Sequence, residues 1–84
     1  MAEQASIHAT DDLETRLRTL FATLLEREPE SIANDDDFFE LGGDSLLVIK
    51  LVARVRRTLG VELTPGDVFD HPTIGMLSRH LQPA

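Results

Sequence analysis

The sequence predicts an all-α fold, a single small bundle of three longer helices and one short helix. Three segments carry apolar residues at helical spacing, and no segment alternates apolar and polar residues as a half-buried strand does. With 84 residues, of which 42% are hydrophobic, the chain suits one domain with one core. No internal repeat is present in the sequence.

The first helix is expected over about residues 12 to 27. Asp11 and Glu14 have the three-residue spacing of a capping box, which marks a helix start. Apolar residues follow at helical spacing: Leu13, Leu17, Leu20, Phe21 and Leu24. We therefore expect a flexible leader over residues 1–9, the folded domain over 10–82 and a tail at 83–84.

A long loop is expected between the first two helices, over residues 28–43. It contains a proline, three consecutive aspartates and two glycines, and it has no sustained apolar period. Its apolar residues are too many for a free linker, so some should anchor it on the core: Ile32, Phe38, Phe39 and Leu41. The helical period then returns from Ser45 to Leu59, and Gly60 is placed to end this second helix in a left-handed conformation.

The last third of the chain predicts two further helices. Thr64, Pro65 and Asp67 indicate a short third helix with proline at its first position, and Val68 and Phe69 are its expected buried face. A final helix should follow a threonine cap and bury one side, with these residues as cap and inner face: Thr73, Ile74, Leu77 and Leu81.

Composition argues against several classes of function. The 15 acidic and 8 basic residues give a net charge of -7, which repels nucleic acid and anionic membrane surfaces. The absence of cysteine excludes disulfides and thiolate catalysis. No apolar run approaches the roughly 18 residues of a membrane span, and the first residues do not resemble a signal peptide. We expect a cytoplasmic monomer that binds neither nucleic acid nor membrane.

Ser45 lies where a glycine-rich loop turns into the second helix. Free backbone N–H groups and the positive end of the helix dipole gather at such a junction, so an anion bonded to Ser45 would be stabilised. A phosphodiester fits that position. Alternatively, Asp44 or Ser45 serves as a plain N-cap, a role compatible with modification. Gly42 and Gly43 permit the turn under either interpretation.

The segment LGGDSL at residues 41–46 resembles the attachment motif of peptidyl and acyl carrier domains. Three further segments match the same family in order: DFFE at 37–40, LGVEL at 59–63 and FDHPTI at 69–74. The resemblance covers nearly the whole chain and implies a four-helix carrier-protein bundle. The double glycine before Asp44 is more similar to the peptidyl type than to the fatty-acid type.

The resemblance also implies a function. A phosphopantetheinyl transferase would move the 4′-phosphopantetheine of coenzyme A onto Ser45, and Gly43 and Asp44 would be the cofactor-binding residues beside it. The terminal thiol would carry aminoacyl, peptidyl or acyl groups as thioesters in nonribosomal peptide or hybrid polyketide biosynthesis. The chain would then be a non-catalytic carrier. Its partners would be adenylation, condensation and thioesterase domains, or acyltransferase and ketosynthase enzymes.

The second helix has two faces when its residues are placed about 100° apart. One face forms a core stripe: Val48, Leu51, Val52, Val55 and Leu59. Leu46, Ile49 and Ala53 lie outside the stripe, on the side nearer Ser45, and form the predicted docking strip. Ile49 could instead complete the edge of the core. Basic residues on this helix are expected to face solvent, balanced by nearby carboxylates: Lys50, Arg54, Arg56 and Arg57.

The sequence also offers three alternatives to the carrier interpretation. An unmodified helical interaction module would use the docking strip without any attachment. A small serine hydrolase would use Ser45 within the GDSL letters at 43–46, but no histidine has the aspartate three positions earlier that such enzymes need. A calcium loop starting at Asp35 would require glycine where Glu40 stands, so no metal is expected.

Overall fold

The computed structural model describes residues 9–81 and contains four α-helices in that part of the chain. In chain order they are α1 (Ala9–Leu25), α2 (Ser45–Leu59), α3 (Pro65–Asp70) and α4 (Ile74–Leu81). α1 packs against α2 and α4, and α3 packs against α2. The predicted bundle of three longer helices and one short helix is confirmed. The predicted loop between α1 and α2 is also present, with a 3₁₀ turn at Pro29–Ser31 that the sequence did not predict.

The start of α1 differs from the prediction. The helix begins at Ala9, so Asp11 lies inside it and the expected capping box was wrong. Glu14 instead accepts hydrogen bonds from Asn34 Nδ2 at 3.1 Å and from Ser78 Oγ at 3.4 Å. These contacts tie α1 to the following loop and to α4. The rest of the predicted leader, residues 1–8, and the tail lie outside the described residues, and the domain limits stay predictions.

The end of α1 also differs, because the helix stops at Leu25 instead of continuing to residue 27. Glu26 adopts a positive φ of 57°, and the Arg27 N–H donates to the Ala22 carbonyl at 3.0 Å. This is the hydrogen bond of a Schellman cap, a motif that usually has glycine at the left-handed position. With glutamate there, the sequence carried no stop signal.

The predicted caps of the other helices are present. Gly60 has φ of 68° and ends α2, and Thr64 forms a capping box with Asp67 at the start of α3. Thr73 Oγ1 accepts from the Met76 N–H at 3.1 Å and caps α4. The prediction that Phe69 is buried was wrong: Val68 reaches the core, whereas Phe69, about 100° further round the helix, is 52% exposed and stacks on Phe39.

The core is built from all four helices and from the loops after α1 and α2. Ile32 and Phe38 are buried, and Phe39 and Leu41 pack against the core, so the expected anchoring of the loop is confirmed. The largest fully buried side chains are Phe21, Phe38, Leu17, Leu51, Leu63, Ile74, Leu77, Val48, Val55 and Val68. Within residues 9–81, no helix has the length and apolar character needed to cross a membrane.

Candidate functional site

Ser45 is the first residue of α2, and its side chain is exposed. Asp44 precedes it in extended conformation and acts as the N-cap, since its Oδ1 accepts from the Leu47 N–H at 2.9 Å. Asp44, and not Ser45, is therefore the N-cap of α2. In the described part of the chain, no group hydrogen-bonds to the Ser45 hydroxyl. That hydroxyl is accessible to a modifying enzyme.

The backbone at the start of α2 provides donors next to this hydroxyl. The Leu47 N–H is taken by the Asp44 side chain, and the Val48 N–H donates to the Asp44 carbonyl at 2.9 Å. The N–H groups of Ser45 and Leu46 have no acceptor among the described residues, as expected in the first turn of a helix. Two free donors at the positive end of the helix dipole suit an anion attached to Ser45.

The loop that leads to Ser45 is held by its own hydrogen bonds. Asp37 Oδ1 accepts from the N–H groups of Phe39 at 2.8 Å and of Glu40 at 3.3 Å. The Phe38 N–H donates to the Pro72 carbonyl at 2.8 Å, and the Phe38 ring packs edge-on against Phe21 with centroids 5.0 Å apart. The loop is thus fixed to the segment between α3 and α4 and to α1, so Ser45 has a defined position.

The two glycines before Asp44 have different roles. Gly42 has a φ of 111°, a conformation that side chains disfavour, and a Cβ there would meet no other atom. Gly43 has no such φ, but a Cβ there would lie 2.4 Å from the Phe38 ring and 2.8 Å from the Phe38 carbonyl oxygen. Gly43 is therefore required because the chain passes directly against Phe38. This contact was not predicted from sequence.

We expect Gly43→Ala to destabilise the domain by about 1–3 kcal/mol, because the new methyl group overlaps a fully buried ring. A loss of 1 kcal/mol lowers the thermal midpoint of a domain this size by roughly 4–8 °C. Gly66→Ala is the matched control, since its Cβ would meet only Thr64 Oγ1 at 3.8 Å. Thermal unfolding followed by circular dichroism compares the two. Equal midpoints for both variants would contradict the proposed overlap at Gly43.

The two faces of α2 separate as predicted. Val48, Leu51, Val52 and Val55 are buried, and Leu59 packs at the edge of the core. The docking strip is exposed: Leu46 is 59% and Ile49 is 58% accessible, and Ala53 also faces solvent. The alternative that Ile49 completes the core was therefore wrong. Its position on the helix, not its hydrophobicity, determines its exposure.

A polar cluster lies between α3 and α4, and none of its contacts within residues 9–81 involves Ser45. His80 Nε2 is 3.2 Å from Asp67 Oδ1, and the rings of His71 and His80 stack with centroids 4.4 Å apart. The pKa of Asp67 lies below its ordinary value of 3.8, mainly because the Thr64 backbone hydrogen-bonds to the carboxylate. The Thr64 side chain and the neighbouring His80 lower this pKa further. Neither histidine hydrogen-bonds to Ser45, so the described residues form no hydrolase triad around it.

Two acidic residues of the loop, Asp36 and Asp37, accept hydrogen bonds from nearby backbone N–H groups and so stabilise local turns. Asp36 Oδ2 accepts from the Ala33 N–H at 2.8 Å, while Asp37 Oδ1 serves the two N–H groups described above. Within the part of the chain that the structure describes, no three acidic or histidine side chains are grouped to hold a metal ion.

Comparison with known proteins identifies the chain. A family model described as a phosphopantetheine attachment site matches residues 15–81. The chain belongs to this family. It is a non-catalytic carrier domain, and the group that the family carries is 4′-phosphopantetheine.

The carrier domain is similar to parts of much longer proteins. It is 44% identical to malformin synthetase mlfA of Aspergillus brasiliensis over 79 residues, which are 94% of this chain but 2% of the synthetase. Among solved structures, a free-standing peptidyl carrier protein from Acinetobacter baumannii matches with a TM-score of 0.78 and 30% identity, covering 84% of this chain and 89% of that one. The McyG A-PCP structure, complexed with phenylalanyl-adenylate, matches with a TM-score of 0.77 and 27% identity over 83% of this chain and 11% of that one.

Proposed function

We propose that Ser45 is the residue of this carrier domain that receives 4′-phosphopantetheine from coenzyme A. The observation that carries the proposal is the exposed Ser45 hydroxyl at the start of α2, which has no partner among the described residues. The free N–H groups of Ser45 and Leu46 would hold the resulting phosphodiester. Gly43 allows the chain to pass against Phe38, and Asp44 caps α2. Both residues would position Ser45 and would take no catalytic part in the transfer.

The attached group supplies a flexible arm whose terminal thiol holds an acyl group as a thioester. The domain contributes a rigid base for this arm, because Asp44 caps α2 and Phe38 fixes the preceding loop. The Ser45 oxygen would bond to the phosphorus of the phosphopantetheinyl group as the pyrophosphate bond of coenzyme A breaks and adenosine 3′,5′-bisphosphate leaves. The phosphopantetheinyl transferase must provide the base that removes the Ser45 proton, since no described side chain is bonded to the hydroxyl to accept it.

The proposed pathway is nonribosomal peptide biosynthesis. The similarity to a malformin synthetase and to a peptidyl carrier protein supports the peptidyl type over the polyketide type. The partners would then be adenylation, condensation and thioesterase domains; in a hybrid polyketide pathway they would be acyltransferase and ketosynthase enzymes. The cytoplasmic location and the monomeric state stay predictions from sequence.

The proposal is tested by incubating the purified protein with coenzyme A and a promiscuous phosphopantetheinyl transferase. Intact-mass spectrometry should show complete conversion to one heavier species, and peptide mapping should place the added mass on Ser45. Ser31 and Ser78 are internal comparisons, because the first donates to the Glu28 carbonyl and the second is fully buried. Protein that stays unmodified would favour the unmodified interaction module.

The docking strip of Leu46, Ile49 and Ala53 belongs to the same proposal. Its members are exposed on the helix that begins at Ser45, and Ile49 follows Ser45 by about one helical turn. An enzyme that reaches the Ser45 hydroxyl from this side would cover the strip and remove its apolar surface from water.

We expect Ile49→Asp to leave the fold intact and to lower the rate of transfer to or from Ser45 by about five-fold or more. Central apolar residues of an interface often cost more than about 1 kcal/mol when they are removed. The matched control is Met76→Asp, which places the same charge at an exposed apolar residue of α4. Steady-state kcat/KM of the transferase and helicity by circular dichroism are measured for both. Equal kinetics for the two variants across several partner enzymes would remove the docking strip from the proposal.

A further inference from the structure

α2 is a basic helix in an acidic protein. Its sequence contains four basic residues and no acidic one, although the whole chain has a net charge of -7. Three of these residues are exposed and one is half-buried: Lys50, Arg56 and Arg57 are exposed, and Arg54 is half-buried. The remainder of the chain is therefore more acidic than its total charge indicates, and α2 presents charge of the opposite sign.

The basic side chains of α2 form no direct ion pair with a carboxylate among the described residues. The ion pairs among described residues join Arg16 to Asp12 and His80 to Asp67, and none involves α2. Lys50, Arg56 and Arg57 face solvent as expected, whereas Arg54 is half-buried. The balance of this cluster by more distant carboxylates stays a prediction. Arg56 and Arg57 lie in the last turn, where a positive charge interacts favourably with the negative end of the helix dipole. Lys50 lies mid-helix, so the dipole does not account for it.

The basic residues flank the docking strip in angle around α2: Lys50 lies beside Leu46 and Ile49, and the others lie toward the C-terminal end of the helix. With Ser45 at zero on a helical wheel, Ile49, Ala53 and Leu46 fall at about 40°, 80° and 100°. Arg56 lies on one side of them at about 20°, while the other basic residues lie on the far side at about 120–180°. The same exposed face therefore combines an apolar centre with a positively charged border, starting at the attachment serine.

We propose that this face of α2 selects protein partners whose docking surface is an apolar patch bordered by carboxylates. The inference rests on the proposed function, in which an enzyme must approach Ser45. At 0.1 M salt, screening limits interactions between exposed charges to distances of about 10 Å. A partner bound to α2 therefore interacts mainly with the local positive charge and not with the net charge of the chain. Complementary charges at such a border increase association rate and specificity.

A protein fits this face better than a nucleic acid or a membrane. Leu46 and Ile49 are each more than half exposed at its centre and would lie unused against a row of phosphates. An extended polyanion would also meet the acidic remainder of the chain beyond α2. Carboxylates placed only around an apolar patch match the charged border without this repulsion.

The experiment uses two hydrocarbon-stapled helical peptides of 15 residues with the same leucine-rich face. One carries glutamates beside that face, and the other carries lysines at the same positions. Binding is followed by NMR shifts of the isotope-labelled protein at 50 mM and 500 mM NaCl. We expect the glutamate peptide to bind the exposed face of α2 about ten-fold more tightly at low salt, and this ratio to approach one at high salt. The net charge of the protein alone would predict the opposite preference.

Two double variants with equal net charge separate the local effect from the global one. Lys50→Glu with Arg57→Glu reverses charge beside the docking strip, and Arg16→Glu with Arg79→Glu does so on the exposed surfaces of α1 and α4. The first pair should abolish the preference for the glutamate peptide, while the second should retain it. Thermal midpoints of both variants report that each remains folded.

Several results would overturn the inference: no preference between the peptides, shifts that map to α1 or α4, binding of neither peptide, or binding of phosphatidylglycerol vesicles or a DNA duplex to α2 instead. Modification of Ser45 with coenzyme A is measured on the same samples. If modification succeeds and the peptides are not distinguished, only the charge selection fails. If Ser45 is not modified, the proposed function fails independently of the peptide result.

Discussion

Replacing Ser45 with alanine is expected to abolish phosphopantetheine attachment completely while leaving the domain folded. The substitution removes the only atom to which the phosphoryl group is proposed to bond. The N-cap is unaffected, because the cap is Asp44, whose side chain accepts from the Leu47 N–H. An exposed first-turn residue of this kind changes stability by about 0.5 kcal/mol or less. Intact mass after transferase treatment and the thermal midpoint measure the two effects.

Two control variants separate loss of the hydroxyl from other changes near it. Ser31→Ala removes a hydroxyl that donates to the Glu28 carbonyl at 2.7 Å, and it should still be modified fully. Asp44→Ala retains the Ser45 hydroxyl but removes the cap, at a cost of about 1 kcal/mol, so it should be modified while unfolding at a lower temperature. Appearance of the heavier species in Ser45→Ala would place the attachment on another residue.

The parts of the fold that depend on local chemistry were predicted from sequence. The boundaries of α2 follow from Asp44, which supplies the cap, and from Gly60, which adopts the left-handed conformation at the end. Thr64 and Thr73 mark the starts of α3 and α4 in the same way. The end of α1 was missed because Glu26 takes a left-handed conformation that its residue type does not favour.

The parts of the site that depend on packing between distant segments were not predicted. The sequence places Ser45 at a helix start, but it does not show that Gly43 passes against Phe38 or that Pro72 binds the Phe38 N–H. Phe69 was misassigned for the same reason. Its ring stacks on Phe39 with centroids 5.2 Å apart at the surface, a partner 30 residues away in the chain that no helical period reveals.

The largest effect on stability is expected at Val52, in the core stripe of α2. Val52 is 7% exposed and belongs to the apolar core cluster, so Val52→Asp places a carboxylate among apolar side chains and largely out of water. An unpaired buried charge costs about 3–5 kcal/mol. A small domain has a total stability near the lower end of roughly 5–15 kcal/mol, so this cost removes most or all of it. We expect Val52→Asp to unfold at a much lower urea concentration than the wild type, with a measurable unfolded fraction already present at 25 °C without urea.

Lys50→Asp is the matched control, because it introduces the same residue two positions earlier on the exposed face of the same helix. Its thermal midpoint should stay within a few degrees of the wild type, since surface substitutions usually change stability by about 0.5 kcal/mol or less. Urea unfolding followed by circular dichroism compares the two variants directly. If both unfold at the same urea concentration, the two faces of α2 are wrongly assigned, and the separation between a core stripe and a docking strip that begins at Ser45 is lost with them.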